Sequence, residues 1–232
     1  GVVVVVWYMR KKREFLRQRF FQQINRVRME NLRSRISPHF TFNVLGREIN
    51  QFNGSEEVKH NLMELVKYLR RSLELTEKLS VSLQDELDFV RTYIELERGR
   101  VGENFVATIT VEDGLDATRI MIPSMIVQIP VENAIKHGLA GKDGKKELMV
   151  YVSRETNGIR ITVTDNGRGY LPQVVSATRG TGTGLKVLYQ TIQLLNTKNK
   201  SDKIRFNITN RSDGQTGTEV SVYIPFRFSY DL

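Results

Sequence analysis

Between residues 14 and 50, apolar side chains recur at helical spacing: Phe20, Ile24 and Val27, then Leu32, Ile36 and Phe40. Pro38 is the one proline of that stretch, and glycine is absent until Gly46. The pattern predicts a long helix, bent or loosened at Pro38. Asn53-Gly54-Ser55 reads as a turn, with Ser55 as N-cap and Glu56 and Glu57 in the first turn of a second helix. That helix carries Leu62, Leu65, Val66, Leu69 and Leu73 on one face. Two helices joined by a short turn form an antiparallel hairpin, half of a four-helix bundle, which implies a homodimer. A third helix starts at Ser82-Leu83-Gln84-Asp85, shows Leu87, Val90 and Ile94, and is expected to stop near Arg98, where Gly99 and Gly102 follow.

From Asn104 the period changes. Residues 105–111 alternate as a strand, and residues 124–139 return to helical spacing. Residues 147–153 and 158–164 read as paired strands, and a glycine-rich stretch covers residues 165–184. A helix is expected over 185–196, with strands over 204–209 and 219–224. There is no strict βαβ alternation, so the expected class is α+β: a helical hairpin followed by a two-layer α/β sandwich.

The first nine residues add a third region. Five consecutive valines lead to Trp7-Tyr8-Met9, and Arg10-Lys11-Lys12-Arg13 follow at once. A spanning helix needs roughly 20 apolar residues. The run is too short for that but suits the last turns of a membrane helix, with Trp7 and Tyr8 at the interface and the basic cluster on the cytoplasmic side. A buried strand is the alternative, since valine favours β structure. Charges that follow the apolar run argue against a signal peptide. The expected organisation is the end of a membrane helix over 1–9, juxtamembrane and dimerisation helices over 10–101, and a second domain over 102–232. The segment is placed at the cytoplasmic membrane, on its cytoplasmic side.

Charge sharpens this picture. The chain of 232 residues carries a net +9. Residues 10–35 hold ten basic side chains against Glu14 and Glu30, nearly the whole excess. The remainder is close to neutral and offers no footprint for direct nucleic-acid binding. Cysteine is absent, which excludes disulfides and thiolate metal sites and fits a reducing compartment.

Four places could carry chemistry. His39 lies four residues before Asn43, so both can share a helical face, and a neutral imidazole is a competent nucleophile. Asn133 precedes Lys136 and His137 on a helix; its amide oxygen can ligate Mg2+ while the lysine neutralises phosphate. Asp165-Asn166-Gly167-Arg168-Gly169 follows a strand. It is ordinary turn chemistry, or else an acceptor for an exocyclic amine such as that of adenine, with glycines that let the backbone approach the base. Gly180-Thr181-Gly182-Thr183-Gly184 opens a helix, as a phosphate cradle does, but lacks the P-loop pattern.

Taken in order, Asn133, Asp165-x-Gly167-x-Gly169 and Gly182-x-Gly184 resemble the N, G1 and G2 boxes of the ATP-binding superfamily of gyrase, Hsp-type chaperones, histidine kinases and MutL. Upstream, residues 36–43 resemble the ISPHFLFN phospho-acceptor box of LytS-type sensor histidine kinases, and residues 81–100 and 123–138 also resemble that family. The resemblance covers residues 33–226. It implies ATP and Mg2+ as ligands and His39 as acceptor of the γ-phosphoryl group. It further implies Asn133 on Mg2+, Lys136 and His137 near the phosphates, and Asp165 on the adenine amine, with Gly167 and Gly169 shaping the pocket. Gly182 and Gly184 would hinge a lid, and Thr218 would support adenine binding. The implied partner is the receiver domain of a response regulator, often one with a LytTR-type DNA-binding domain.

Four positions depart from the family: Thr41 for leucine, Ile129-Pro130 for Pro-Leu, and Val187 for the asparagine after the lid glycines. Phe40 stands where other kinase families place an acid, so the general base is sought elsewhere, at Glu132. An ATP-driven conformational machine is the alternative from another class. Its relatives place a catalytic glutamate four residues before the asparagine, and here that position is Ile129. A nucleotide-binding pseudokinase is the third reading; the intact His39, Asn133 and Asp165 weigh against it.

Overall fold

The computed structural model describes residues 7, 9–12, 56–169, 183–197, 199 and 201–230. The expected long helix with Pro38, His39 and Asn43, the Ser55 cap, and Gly180 and Gly182 lie outside the described residues. Residue 7 and residues 9–12 are helical, not strand, and exposed. No helix among the described residues is long and apolar enough to cross a membrane.

Helix α1, Glu56–Glu77, buries Leu65, Tyr68, Ser72 and Leu75, a stripe at spacings of three and four. A short strand, β1 (Ser80–Ser82), separates it from α2 (Leu83–Val101). The start of α2 follows from Ser82, whose hydroxyl oxygen accepts the Asp85 N–H at 3.0 Å. Its buried face runs through Leu83, Leu87, Val90, Tyr93, Ile94 and Val101. Tyr68 of α1 stacks on Phe89 of α2 with centroids 4.9 Å apart. The helix passes through Gly99 and ends three residues later than the pattern predicts. Gly102, at φ 108°, closes it with its N–H on the Arg98 carbonyl. Burial of Val101 outweighs the propensity cost of Gly99, about 1 kcal/mol.

Strand β2 (Phe105–Val111) runs parallel to β4 (Lys146–Glu155). β5 (Gly158–Asp165), β7 (Thr218–Pro225) and β6 (Arg205–Asn210) complete a five-stranded sheet in the order β2-β4-β5-β7-β6, antiparallel beyond the first pair. One face alternates inward as Leu148, Val150, Val152, then Ile159, Ile161, Val163, then Val220, Val222, Ile224, all buried. Each such side chain contributes about 2 kcal/mol when withdrawn from water. Between these residues the opposite face shows Met149 and Tyr151 to solvent. The covered face belongs to the same apolar core as α1, α2 and the later helices, so the α+β sandwich stands as expected.

The expected helix over 124–139 is divided. β3 (Met121–Pro123) pairs antiparallel with β1, and a turn follows in which Met125 adopts φ 70°. Helix α3 covers only Gln128–Asn133 and widens into a π turn over Ala134–Gly138, closed by the Leu139 N–H on the Ala134 carbonyl at 2.8 Å. Helix α4, Thr183–Asn196, begins two residues before its expected start and buries Val187, Leu188, Ile192 and Leu195.

Candidate functional site

Asp165 is the last residue of β5, and strand parity puts its side chain on the covered face with Ile161 and Val163. The register pairs Thr164 with Glu219, so the next step of the ladder brings Asp165 opposite Thr218. The Asp165 carboxyl accepts the Gly167 N–H at 2.8 Å, and the backbone N–H and hydroxyl of Thr218 also donate to it. The side chain is only 4% exposed. Burial dominates these donors and lifts its pKa above the ordinary 3.8.

Three glycines make room for Asp165, two at its carboxyl and one at its backbone. A Cβ on Gly138 would stand 2.7 Å from Asp165 Oδ1, and one on Gly167 would meet the same oxygen at 2.7 Å and collide with the Gly138 carbonyl. A Cβ on Gly217 would strike the Asp165 backbone carbonyl. The Arg168 N–H reaches the Gly138 carbonyl at 3.3 Å, and the Arg168 guanidinium donates to the Ala140 carbonyl at 2.8 Å. The G1 loop and the end of the π turn therefore lie backbone to backbone. Gly169 needs its glycine twice over: φ is 86°, and a Cβ would lie 2.8 Å from Asn210 Oδ1. Asn166 faces the other way and fastens β4, accepting the Glu147 N–H at 2.8 Å.

On α3, the Asn133 amide nitrogen donates to the Ile129 carbonyl at 2.7 Å. With the nitrogen engaged, the amide oxygen is the group left for a cation. Glu132 and Lys136 form an ion pair at 2.5 Å, both partly buried. His137, on the same π turn, is exposed in part. Desolvation and then the neighbouring Lys136 hold its pKa below the ordinary 6.5, with Glu132 opposing. A π turn displaces its residues from the α-helical face and is common at functional sites. Gly184 lies in the first turn of α4, next to residues outside the description. Among the described residues no cluster of three or more His, Asp or Glu side chains could hold a metal. A single amide oxygen beside a lysine suits a cation carried in with phosphates rather than a protein-caged one.

The structure thus joins Asp165, Gly167 and Thr218 at the end of β5, and brings the π turn carrying Lys136 and His137 against them through Gly138. Sequence reasoning missed Gly138 and Gly217. Both were adjacent to quoted motifs, and their signal was a glycine with no turn of its own to explain it. Gly138 and Gly167 are packed so closely on the buried carboxyl that a side chain at either position would collide with it.

Two family models match the chain: "Histidine kinase" over residues 27–105 and "Histidine kinase-, DNA gyrase B-, and HSP90-like ATPase" over residues 118–227. The sensor histidine kinase YpdA of Escherichia coli strain K12 is 28% identical over 88% of this chain and 35% of its own length. The sensor histidine kinase/phosphatase LytS of Staphylococcus aureus strain MRSA252 is 32% identical over 81% of this chain and 33% of its own length. The chain therefore spans about a third of the length of these curated relatives. The histidine kinase domain of the blue-light activated kinase EL346 of Erythrobacter litoralis superposes with a TM-score of 0.49 at 15% identity, covering 89% of this chain and 94% of that one. With a histidine kinase segment followed by its ATPase-type domain, in that order and over most of its length, the chain belongs to the histidine kinase family.

Proposed function

We propose that this chain is the kinase portion of a two-component sensor, which uses ATP to phosphorylate His39 and passes the group to an aspartate of a response-regulator receiver domain. The observation that carries the reading is the buried Asp165 carboxyl, with Gly138 and Gly167 packed against it and Thr218 donating to it. A buried acceptor of that kind recognises an exocyclic amine, and the adenine amine is the one the family uses.

In this reading Asp165 and Thr218 hold the base, while Gly167 and Gly169 allow its close approach. Asn133 supplies an oxygen to Mg2+, which when bound offsets the negative charge of the phosphates. Lys136 and His137 lie beside the phosphates, and Gly182 and Gly184 flank the lid. A nitrogen of the His39 imidazole attacks the γ-phosphorus in line. The N–P bond forms as the bond to the bridging oxygen breaks, ADP leaves with the electron pair, and the imidazole loses its N–H proton. Asn43 orients the ring. Glu132 takes the proton once Lys136, its present partner, turns to phosphate.

The same proposal includes a homodimer built on the helices of residues 10–101, an ATP-binding domain over 102–232, attachment to the cytoplasmic membrane through residues 1–9, and a regulator of the LytTR type. The test is incubation with γ-labelled ATP. Wild type should acquire acid-labile label and sediment at twice the chain mass, and His39→Gln should acquire none. Label that persists on the variant overturns the assignment of His39. Free phosphate without labelled protein overturns the kinase reading.

A further inference from the structure

We propose that Glu86 is a positioning residue for the nucleotide site: a carboxyl on α2 that caps the Asn133 helix from outside and sets where Asn133 stands. The inference rests on the reading of Asn133 as the residue that meets the nucleotide's metal.

The amides at the start of a helix have no partner within it and need an acceptor. Helix α3 has none of its own, since Val127 at its N-cap position offers no side-chain hydrogen bond. Glu86 supplies it across a sequence distance of about forty residues. Its Oε1 accepts the N–H groups of Val127 at 3.0 Å and Gln128 at 3.1 Å, and its Oε2 accepts that of Met125 at 2.9 Å. The side chain is fully buried. A negative group at this end also complements the helix dipole.

The grip extends to a strained residue. Met125, at φ 70°, is the described non-glycine residue with a positive φ. Such a conformation is strained and persists only where its surroundings hold it. Glu86 binds its N–H. Next to it, the Ser124 hydroxyl donates to the Leu75 carbonyl of α1, and the Ser124 N–H donates to the Leu79 carbonyl at 3.1 Å. The start of α3 is therefore clamped to both preceding helices, and Glu86 makes three of the bonds. From there α3 and the π turn form one continuous stretch to Gly138, too short to absorb a displacement at its origin. A shift of Glu86 is passed along α3 to Asn133, the residue of this stretch that the reading places on the metal.

A role confined to packing and a role in positioning predict different results for Glu86→Gln. The amide keeps one acceptor oxygen but sets an NH2 against one of the three N–H groups. Nucleotide affinity is measured by titration with ADP, with Mg2+ and with EDTA. In the Mg2+ series E86Q should weaken binding about tenfold, the scale of a lost outer-shell partner. In EDTA the change should be less than about twofold, and on an Asn133→Ala background E86Q should add no further loss. Equal losses with and without Mg2+, or additive losses in the double variant, overturn the proposal. Hydrogen exchange on the nucleotide-free chain is a separate arm. E86Q should speed exchange from residue 125 through 137; faster exchange at 125, 127 and 128 alone overturns it. If wild type binds no nucleotide, the kinase reading fails while this arm still decides. Glu86→Asp, which keeps the charge but draws it back by one methylene, guards against a folding failure of E86Q. It should fall between wild type and E86Q in the Mg2+ series, and parity with wild type overturns the assignment.

Discussion

At Asp165, burial and hydrogen bonding pull in opposite directions, and burial prevails, so its pKa lies above 3.8. The fold thus favours the protonated acid. Its contribution to stability is fully present below pH 3.8 and is lost as pH rises through the folded-state value. Recognition of an amine needs the ionised form, which completes its hydrogen bonding once the ligand arrives. Nucleotide affinity should therefore fall on acidification with a midpoint above 3.8, read from fluorescent-nucleotide titrations over a pH series. A midpoint at or below 3.8 would count against Asp165 as the acceptor. The glycines around it are needed for space more than for backbone freedom. Gly167→Ala should cost about 1–3 kcal/mol through overpacking against Asp165 and the Gly138 carbonyl, measured from denaturant midpoints. An unchanged midpoint together with unchanged nucleotide affinity would show that this packing has slack.

Among the elements, α2 shows how a local signal and a distant one combine. Ser82 sets its start by itself, and the Ser82 hydroxyl also donates to Asp85 Oδ2 at 2.8 Å. Ser82→Ala should lower stability by about 1 kcal/mol in thermal or chemical unfolding while leaving the amides at 125–128 protected. Loss of that protection would mean that the cap and the Glu86 clamp are one unit. Asp85 and Glu86 both stand in the first turn of α2, where either acid complements the dipole. The structure gives them different roles. Asp85 is part exposed, with Ser82 and then Arg71 holding its pKa below the ordinary range, while Glu86 is buried under the next helix. Helix α3 shows the converse case. Helical spacing over 124–139 conceals the change to π hydrogen bonding at Ala134 and the turn at Met125, which depends on Glu86, a partner far along the chain.

For the whole molecule, one core runs from Leu65 through the sheet to Phe228, so the two preceding helices and the ATPase-type sandwich are packed as a unit over the described residues. That is the physical basis for expecting a movement of the helical segment to reach the nucleotide wall. Local sequence alone carried the class of fold, the five strands of the large sheet in chain order, the start of α2 at Ser82, and the motifs of the family, but not the short β1–β3 pair. These are local signals: alternation, a cap, a glycine after an aspartate. The tertiary structure alone decided the parallel pairing of β2 with β4 and the register that sets Thr218 opposite Asp165. Packing alone also brought Gly138 and Gly167 onto that carboxyl and Gly217 onto its backbone carbonyl, and took Glu86 to the amides of Met125, Val127 and Gln128. In each case the partners are separated by many residues, and no periodicity records which buried acid will meet which unsatisfied amide until the helices have packed on the sheet.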